Sequence, residues 1–275
     1  MLGQSVCRQF RLRHDLIAPS RAELDICDDS AVRRQVTQAR PDWVLHLAAL
    51  TDVDLCQQQP DLAYQVNSAA VANLAAICQA LQTPLLLMSS IAVFDGQKSS
   101  PYLEDDLPAP INVYGKSKWQ AEQIAAALPH HVIVRSGWLF GGGPADKKFV
   151  SKILSLAQQR RQLAVVNDKI GSPTFTDDLA LGLERLLLSG RRGVVHLVNS
   201  GNPATRFQLA AEIVHLAGLS SDLNPVPSSH FPRLAPRPDM EAAASYYTDG
   251  WLPPWRTALQ TYLAQLAVWT SVPHR

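Results

Sequence analysis

The chain has 275 residues, 47% of them hydrophobic and 18% charged, with a formal net charge of +1. This is enough chain for one large domain or two small ones around a buried core, and the low charge fraction excludes wholesale disorder. A near-neutral balance argues against nucleic acid as the main partner: phosphate binding needs clustered Lys and Arg, and pairs such as Arg160-Arg161 and Arg191-Arg192 are isolated and read as solvated helix ends and turns.

In chain order, short apolar runs alternate with amphipathic segments. A helix is predicted over Gly3–Arg11, then a strand at Leu16–Ala18. The helix Asp29–Ala39 starts at acidic residues and stops at Arg40-Pro41. Strands follow at Trp43–Leu47 and Pro84–Ser89, separated by a helix over Asp61–Leu81. The helix Tyr114–Leu128 ends before Pro129, and a strand follows at His131–Arg135. Helices over Lys147–Arg160, Thr176–Leu188 and Arg206–Leu216 enclose strands at Leu163–Val166 and Val194–Val198. Alternating strand and helix predicts an α/β fold, a doubly wound parallel sheet. The strand runs are continuously apolar, as strands covered on both faces should be.

Beyond residue 200 the pattern changes. Residues Asn224–Asp239 hold Pro225, Pro227, Pro232, Pro236 and Pro238, so a long ordered loop is expected there. A last helix is predicted over Thr257–Val268. The four cysteines (Cys7, Cys27, Cys56, Cys78) form no CxxC and no Cys/His cluster, which fits buried thiols in a reducing compartment. The first twenty residues hold no long apolar core, and no apolar run approaches the ~20 residues that span a bilayer, so a cytoplasmic protein without a membrane partner is expected.

The chemistry is concentrated in Tyr114-Gly-Lys-Ser-Lys118. Tyr114 and Lys118 share one helix face. A phenol of pKa ~10 is a poor acid or base at neutral pH, and a nearby ammonium lowers that pKa. Alone, such a pair is more often a surface contact. Ser89 and Ser90 follow the apolar strand directly, at the carboxyl end where open α/β sheets bind ligands.

In context, Ser89-Ser-Ile-Ala-Val-Phe-Asp-Gly96 followed by Asn112-Val-Tyr-Gly-Lys-Ser-Lys118 resembles the extended short-chain dehydrogenase/reductases, and within them the dTDP-4-dehydrorhamnose reductase family. Arg40–Asp54, Pro101–Gly115, Arg135–Gly141, Asp168–Thr174, Ala235-Pro-Arg-Pro238 and Leu252-Pro-Pro-Trp255 match that family's segments in order. The resemblance implies an NAD(P)H-dependent reductase of the C4 ketone of a dTDP-4-keto-6-deoxy sugar, serving polysaccharide synthesis. Tyr114 would donate the proton, Lys118 would lower its pKa and hold the nicotinamide ribose, and Ser90 would bind the carbonyl. Leu2, Gly3, Arg21, Asp25, Ile26, Ala48, Ala49, Leu50 and Thr51 would line the cofactor. Val53, Ser89, Trp138 and Arg237 would line the sugar. The cofactor expected is NADP(H), with Arg21 placed for a 2′-phosphate, or else NAD(H). Mg²⁺ at Glu104, Asp105 and Asp106 is the weaker alternative to a solvated loop. A homodimer is the family's habit.

The expected division is a Rossmann-like part, residues 1–138 with 168–195 returning to it, and a substrate-binding part, residues 139–167 and 196–275. Three departures stand out. Ile91 and Ala92 replace a polar residue and a tyrosine after the catalytic hydroxyl. Arg237-Pro-Asp-Met-Glu241 ends in Met and Glu where the family tends to have Asn and Ser. The opening Met1-Leu-Gly-Gln-Ser-Val resembles the middle of a glycine-rich fingerprint, and only Gly3 of its glycines is present. Either an internal methionine stands as residue 1, or the first strand and most of the glycine-rich turn are lacking; in both cases the chain as written is expected to be poorly stable or inactive. A low glycine content, 14 of 275, fits that reading. The alternatives kept open are a non-catalytic NADP-binding subunit, resembling the regulatory subunit of methionine adenosyltransferase, and another reductase or epimerase of sugar nucleotides.

Overall fold

The computed structural model describes residues 1–143 and 146–271. Its centre is a parallel sheet built from four short strands: β1 (Val44–His46), β2 (Leu85–Met88), β3 (His131–Arg135) and β8 (Gly193–His196), in the order β1-β2-β3-β8. Both faces are covered. Helices α2 (Asp29–Ala39), α5 (Ala70–Leu81) and α6 (Val113–Ala126) bury Leu85, Leu87 and Ile133 on one face. On the other face α1 (Leu2–Phe10) and α8 (Thr176–Leu188) bury Leu86, Met88, Val132 and Val134. Alternate residues of each strand thus enter opposite cores, which is why the strands read as unbroken apolar runs.

Local signals set several boundaries. Asp28 caps α2 by accepting from the Ala31 amide, and the helix stops at Arg40 in the left-handed conformation (φ 43°), just before Pro41. The segment expected as one helix over Asp61–Leu81 runs as α4 (Pro60–Tyr64), a π-helical turn (Gln65–Ala69) and α5. A six-residue helix, α3 (Val53–Gln58), precedes it.

The remaining chain forms small sheets packed on a second core. β5 (Gln162–Val166) pairs in parallel with β10 (Asp222–Val226), β4 (Leu139–Phe140) with β7 (Thr174–Phe175), and β6 (Ile170–Gly171) with both β9 (Ala204–Thr205) and β11 (Met240–Glu241). Helices α7 (Phe149–Gln159), α9 (Arg206–Leu216) and α10 (Trp255–Ser271) enclose Phe140, Phe175, Trp255 and Tyr262. A capping box between Thr205 and Gln208 starts α9.

Two expectations are corrected. Leu16–Ala18 forms no strand: β1 is the edge of the sheet, the segment finds no ladder partner, and Pro19 removes a donor directly after it. Leu16 instead packs on the α1–α8 core, while Ile17 is 62% exposed. Conversely, the proline-rich stretch begins inside a strand. Pro225 pairs opposite Val165 in a two-stranded ribbon, the edge position in which a missing N–H costs no ladder bond.

Candidate active site

The site forms where β2 leaves the sheet. The Ser89 amide still bonds the Val134 carbonyl (2.7 Å), but the next residue turns away. Ser90 is extended, and its Oγ accepts from the Ala92 amide (3.1 Å), capping a short 3₁₀ turn, Ile91–Val93. The start of α6 is pressed onto that turn. Asn112 caps α6 through the Gly115 amide (2.8 Å), and a Cβ on Gly115 would lie 2.2 Å from the Ala92 carbonyl oxygen. With α6 pressed onto the turn, Tyr114 and Ser90 are near enough for the serine hydroxyl to act on the phenol's titration.

Burial pushes the Tyr114 phenol up to about 12; the Ser90 hydrogen bond pulls the other way, while Cys56 and Glu241 add to the rise. Lys118 lies one turn on and is almost fully buried. Burial brings its ammonium down to about 8, against the pull of Glu122, and its Nζ donates to the Met88 carbonyl (2.7 Å). The expected lowering of the Tyr114 pKa by Lys118 is therefore not found. The ammonium is turned to a backbone carbonyl, and desolvation governs the phenol.

Ser90, Tyr114 and Lys118 are thus brought together. Ser89 is not one of this group: its hydroxyl donates to the buried Glu122 carboxylate (2.5 Å), behind the cleft. Ala48, Ala49, Leu50 and Thr51 form the loop leaving β1. Sequence reasoning missed what holds this loop. Asn67, fully buried in the π-helical turn, accepts from the Leu50 amide (2.8 Å) and donates to the Leu50 carbonyl (3.1 Å) and to Ser117 on α6 (3.0 Å). A buried Asn in an apolar helix was the available signal, since buried polar groups are partnered and π-turns cluster at functional sites.

The other expected cofactor residues lie in other segments. Gly3 is in the first turn of α1, and a Cβ there would meet nothing within 4 Å. Leu2 is buried in the α1–α8 core. Arg21, Asp25 and Ile26 lie in irregular chain before α2, where the Asp25 carboxylate accepts from the Cys27 amide. The chemistry of the groups gathered here suits the ribose of a nicotinamide dinucleotide. Tyr114 and Lys118 supply donors there, and His46, buried at the end of β1, keeps an unpartnered Nε2.

Among the residues expected to line the sugar, Trp138 adopts a left-handed backbone (φ 46°), an uncommon state for a bulky residue. Its indole lies on Gly171, where a Cβ would sit 2.2 Å from the ring, and the Arg206 guanidinium covers it at 3.4 Å. Its Nε1 donates to Glu241 (3.0 Å). Arg237 pairs with Asp54 (3.1 Å) on α3, next to Val53, and Asp54 also accepts from the Ala235 amide (3.1 Å), so the proline-rich loop is strapped to α3. Arg206 and Glu241 escaped the sequence reading as site residues because only the chain crossing brings them to Trp138. The departures Ile91 and Met240 belong to one apolar cluster with Phe94 and Tyr102, so two unusual residues pack into the same core.

Glu104 accepts from Ser245 and from the His196 amide (2.9 Å), and Asp106 accepts from Lys98 (2.6 Å). Among the described residues, no group of three or more His, Cys, Asp or Glu side chains could hold a metal ion. No helix among them is long and apolar enough to cross a membrane.

A parallel sheet covered on both faces, with serine, tyrosine and lysine gathered at the carboxyl end of one strand, defines the class of short-chain dehydrogenases/reductases. The family model described as "RmlD substrate binding domain" matches residues 1–268, and the chain belongs to that family. The dTDP-4-dehydrorhamnose reductase of Mycolicibacterium smegmatis is 35% identical over 273 residues, covering 96% of this chain and 82% of that protein. Among solved structures, the Clostridium acetobutylicum dTDP-4-dehydrorhamnose reductase superposes with a TM-score of 0.92 at 32% identity, covering 97% of this chain and 96% of that one. The Bacillus anthracis enzyme of the same name, in complex with NADP, gives 0.91 at 30% identity, covering 96% and 95%.

Proposed function

We propose that the chain reduces the C4 ketone of a dTDP-4-keto-6-deoxy hexose, converting dTDP-4-dehydrorhamnose to dTDP-rhamnose, with NADP(H) as the cofactor. The observation that carries this reading is the apposition of Ser90 and Tyr114 at the end of β2, with Lys118 one turn further along α6. Full-length relatives named for this reaction support it. The complex of a relative with NADP supports the cofactor, and Arg21 is the residue available for a 2′-phosphate.

In this reading Ser90 and Tyr114 bind the ketone oxygen. A phenol held near 12 keeps its proton at neutral pH, which suits a donor to the oxygen as the carbonyl becomes a hydroxyl. Lys118, near 8, is matched to neutral pH as the charge beside it. Asn67 fixes the Leu50 backbone, and the residue 48–51 loop with Lys118 orients the nicotinamide ribose. When bound, the reduced nicotinamide supplies the hydride to C4. Trp138, Glu241, Arg206 and Arg237 form the wall against the sugar nucleotide. Residues 1–138 with 168–195 serve the cofactor, and 139–167 with 196–275 serve the substrate.

The test is NADPH oxidation with dTDP-4-keto-6-deoxy sugar by the chain and by Tyr114→Phe. Turnover lost in the variant, with NADPH binding kept, is expected. Absence of turnover in a folded, NADPH-binding protein would count against the reading.

A further inference from the structure

Directly behind the Ser90–Tyr114–Lys118 group lies a second polar cluster, sealed from solvent. Glu122 and Arg135 are 1% and 2% exposed. The Arg135 guanidinium, from the end of β3, grips the Glu122 carboxylate with Nε (2.9 Å to Oε1, 3.2 Å to Oε2) and Nη2 (2.7 Å). The Ser89 hydroxyl completes the shell of Glu122 at 2.5 Å. Arg135 in turn rests over the Phe94 ring (5.0 Å), and its Nη1 meets His196 Nε2 on β8 at 3.5 Å. Glu122 stands four residues after Lys118, on the same face of α6.

A buried ion pair is no bargain for stability, because an apolar pair of the same volume is often as good. Its placement here points elsewhere. Three successive residues at the end of β2 are each used differently: the Met88 carbonyl takes the Lys118 ammonium, Ser89 is drawn backward to Glu122, and Ser90 is left facing Tyr114. We propose that Glu122 is a positioning residue for the ketone-reducing site, fixing the β2 terminus through Ser89 and stabilising the charged form of Lys118 from behind. The proposal rests on the functional reading above.

The charges around it are few. His46 on β1 and Glu122 face Lys118, with Tyr114 on its own helix; Arg135 and then His196 face Glu122; and Glu104 faces His196. Burial weakens the Lys118 ammonium, and Glu122 supports it. Glu122→Gln keeps the shape and an acceptor for Ser89 but removes that support, and it leaves Arg135 as an added positive charge nearby.

The experiment titrates Lys118 in the ligand-free protein by NMR of ¹³Cε-labelled lysine, with Lys118→Met to identify the signal, and records the pH profile of kcat. The wild-type midpoint is expected near 8. In Glu122→Gln it should fall by about one unit or more, and the alkaline limb of kcat should move with it. Coincident midpoints and limbs would overturn the proposal. Should Glu122→Gln not melt cooperatively, Ser89→Ala leaves the ion pair intact: kcat is expected to fall several-fold with NADPH affinity unchanged, and an unchanged kcat would overturn it. The lysine midpoint needs no substrate. Absence of turnover on keto sugars therefore sinks the functional reading without touching this result.

Discussion

Gly115 stands so close over the Ala92 carbonyl that a single added carbon would lie 2.2 Å from the oxygen. This contact joins the second residue of Tyr114-Gly-Lys-Ser-Lys118 to the turn after Ser90, and so bears on how Tyr114 and Ser90 stand to each other. Gly115→Ala must push α6 off the turn. Overpacking of this kind costs about 1–3 kcal/mol, and a misplacement near 1 Å can cost ~100-fold in rate. The expected result is a modest fall in Tm with a disproportionate fall in kcat; a variant losing stability but not kcat would show that the contact is only structural.

Lys118 and His46 give the protein a defined pH signature. The Lys118 pKa falls from 10.5 to about 8 on folding, so the unfolded chain binds the extra proton between those values. Its stabilising contribution is full above 10.5 and is lost as pH falls through this window to about 8. At about 1.4 kcal/mol per unit, the burden at neutral pH is on the order of 3 kcal/mol. Lys118→Met should therefore be inactive yet more stable at pH 7, with a flatter urea-unfolding free energy between pH 8 and 10.5. His46, brought down from 6.5 to about 3 by burial, acts in acid: stability present above 6.5 is lost as pH falls towards 3. His46→Leu should flatten that limb in the same measurement.

The Glu122–Arg135 pair should behave asymmetrically. Arg135→Met leaves a buried, uncompensated carboxylate and should cost about 3–5 kcal/mol in urea unfolding. The double variant Glu122→Leu/Arg135→Met should recover most of that loss. Additive losses would mean that the two residues are held by their separate packing rather than by each other.

Asp54 ties the loop carrying Ala235 and Arg237 to α3. Charge-assisted hydrogen bonds contribute about 1.5–3 kcal/mol, so Asp54→Ala should raise KM for the sugar nucleotide by about tenfold or more. Tm should fall by about a few degrees, because the strap is already made in the ligand-free chain, while NADPH affinity should change little. The Asp54 carboxyl is held below the usual range, with the Ala235 amide and Arg237 outweighing desolvation, so the strap should persist to mildly acidic pH.

Much of this was legible along the chain. The apolar runs of β2, β3 and β8 predicted a sheet buried on both faces, because alternate residues of one run can serve two cores. The Tyr114/Lys118 spacing on one helix face, and serines directly after an apolar strand, pointed to the same cleft. Leu16–Ala18 was misread because a three-residue run carries no information on whether a ladder partner exists. Asn224–Val226 was misread as loop because Pro225 looks forbidden until its strand is known to be an edge.

What the residues determined by themselves were periods, caps and the kinds of functional group available: where helices start, which faces are apolar, and that a phenol, an ammonium and hydroxyls share a neighbourhood. Only the tertiary structure decided what each group does there. Ser89 and Ser90 are adjacent and chemically identical, yet one serves Glu122 behind the cleft and the other faces Tyr114 within it. Glu241, Arg206 and Trp138 come from three distant segments and meet only because β11, β6 and β9 converge. Direction and desolvation are properties of the packed chain, and through them the fold sets which group each hydroxyl meets and how readily each proton leaves.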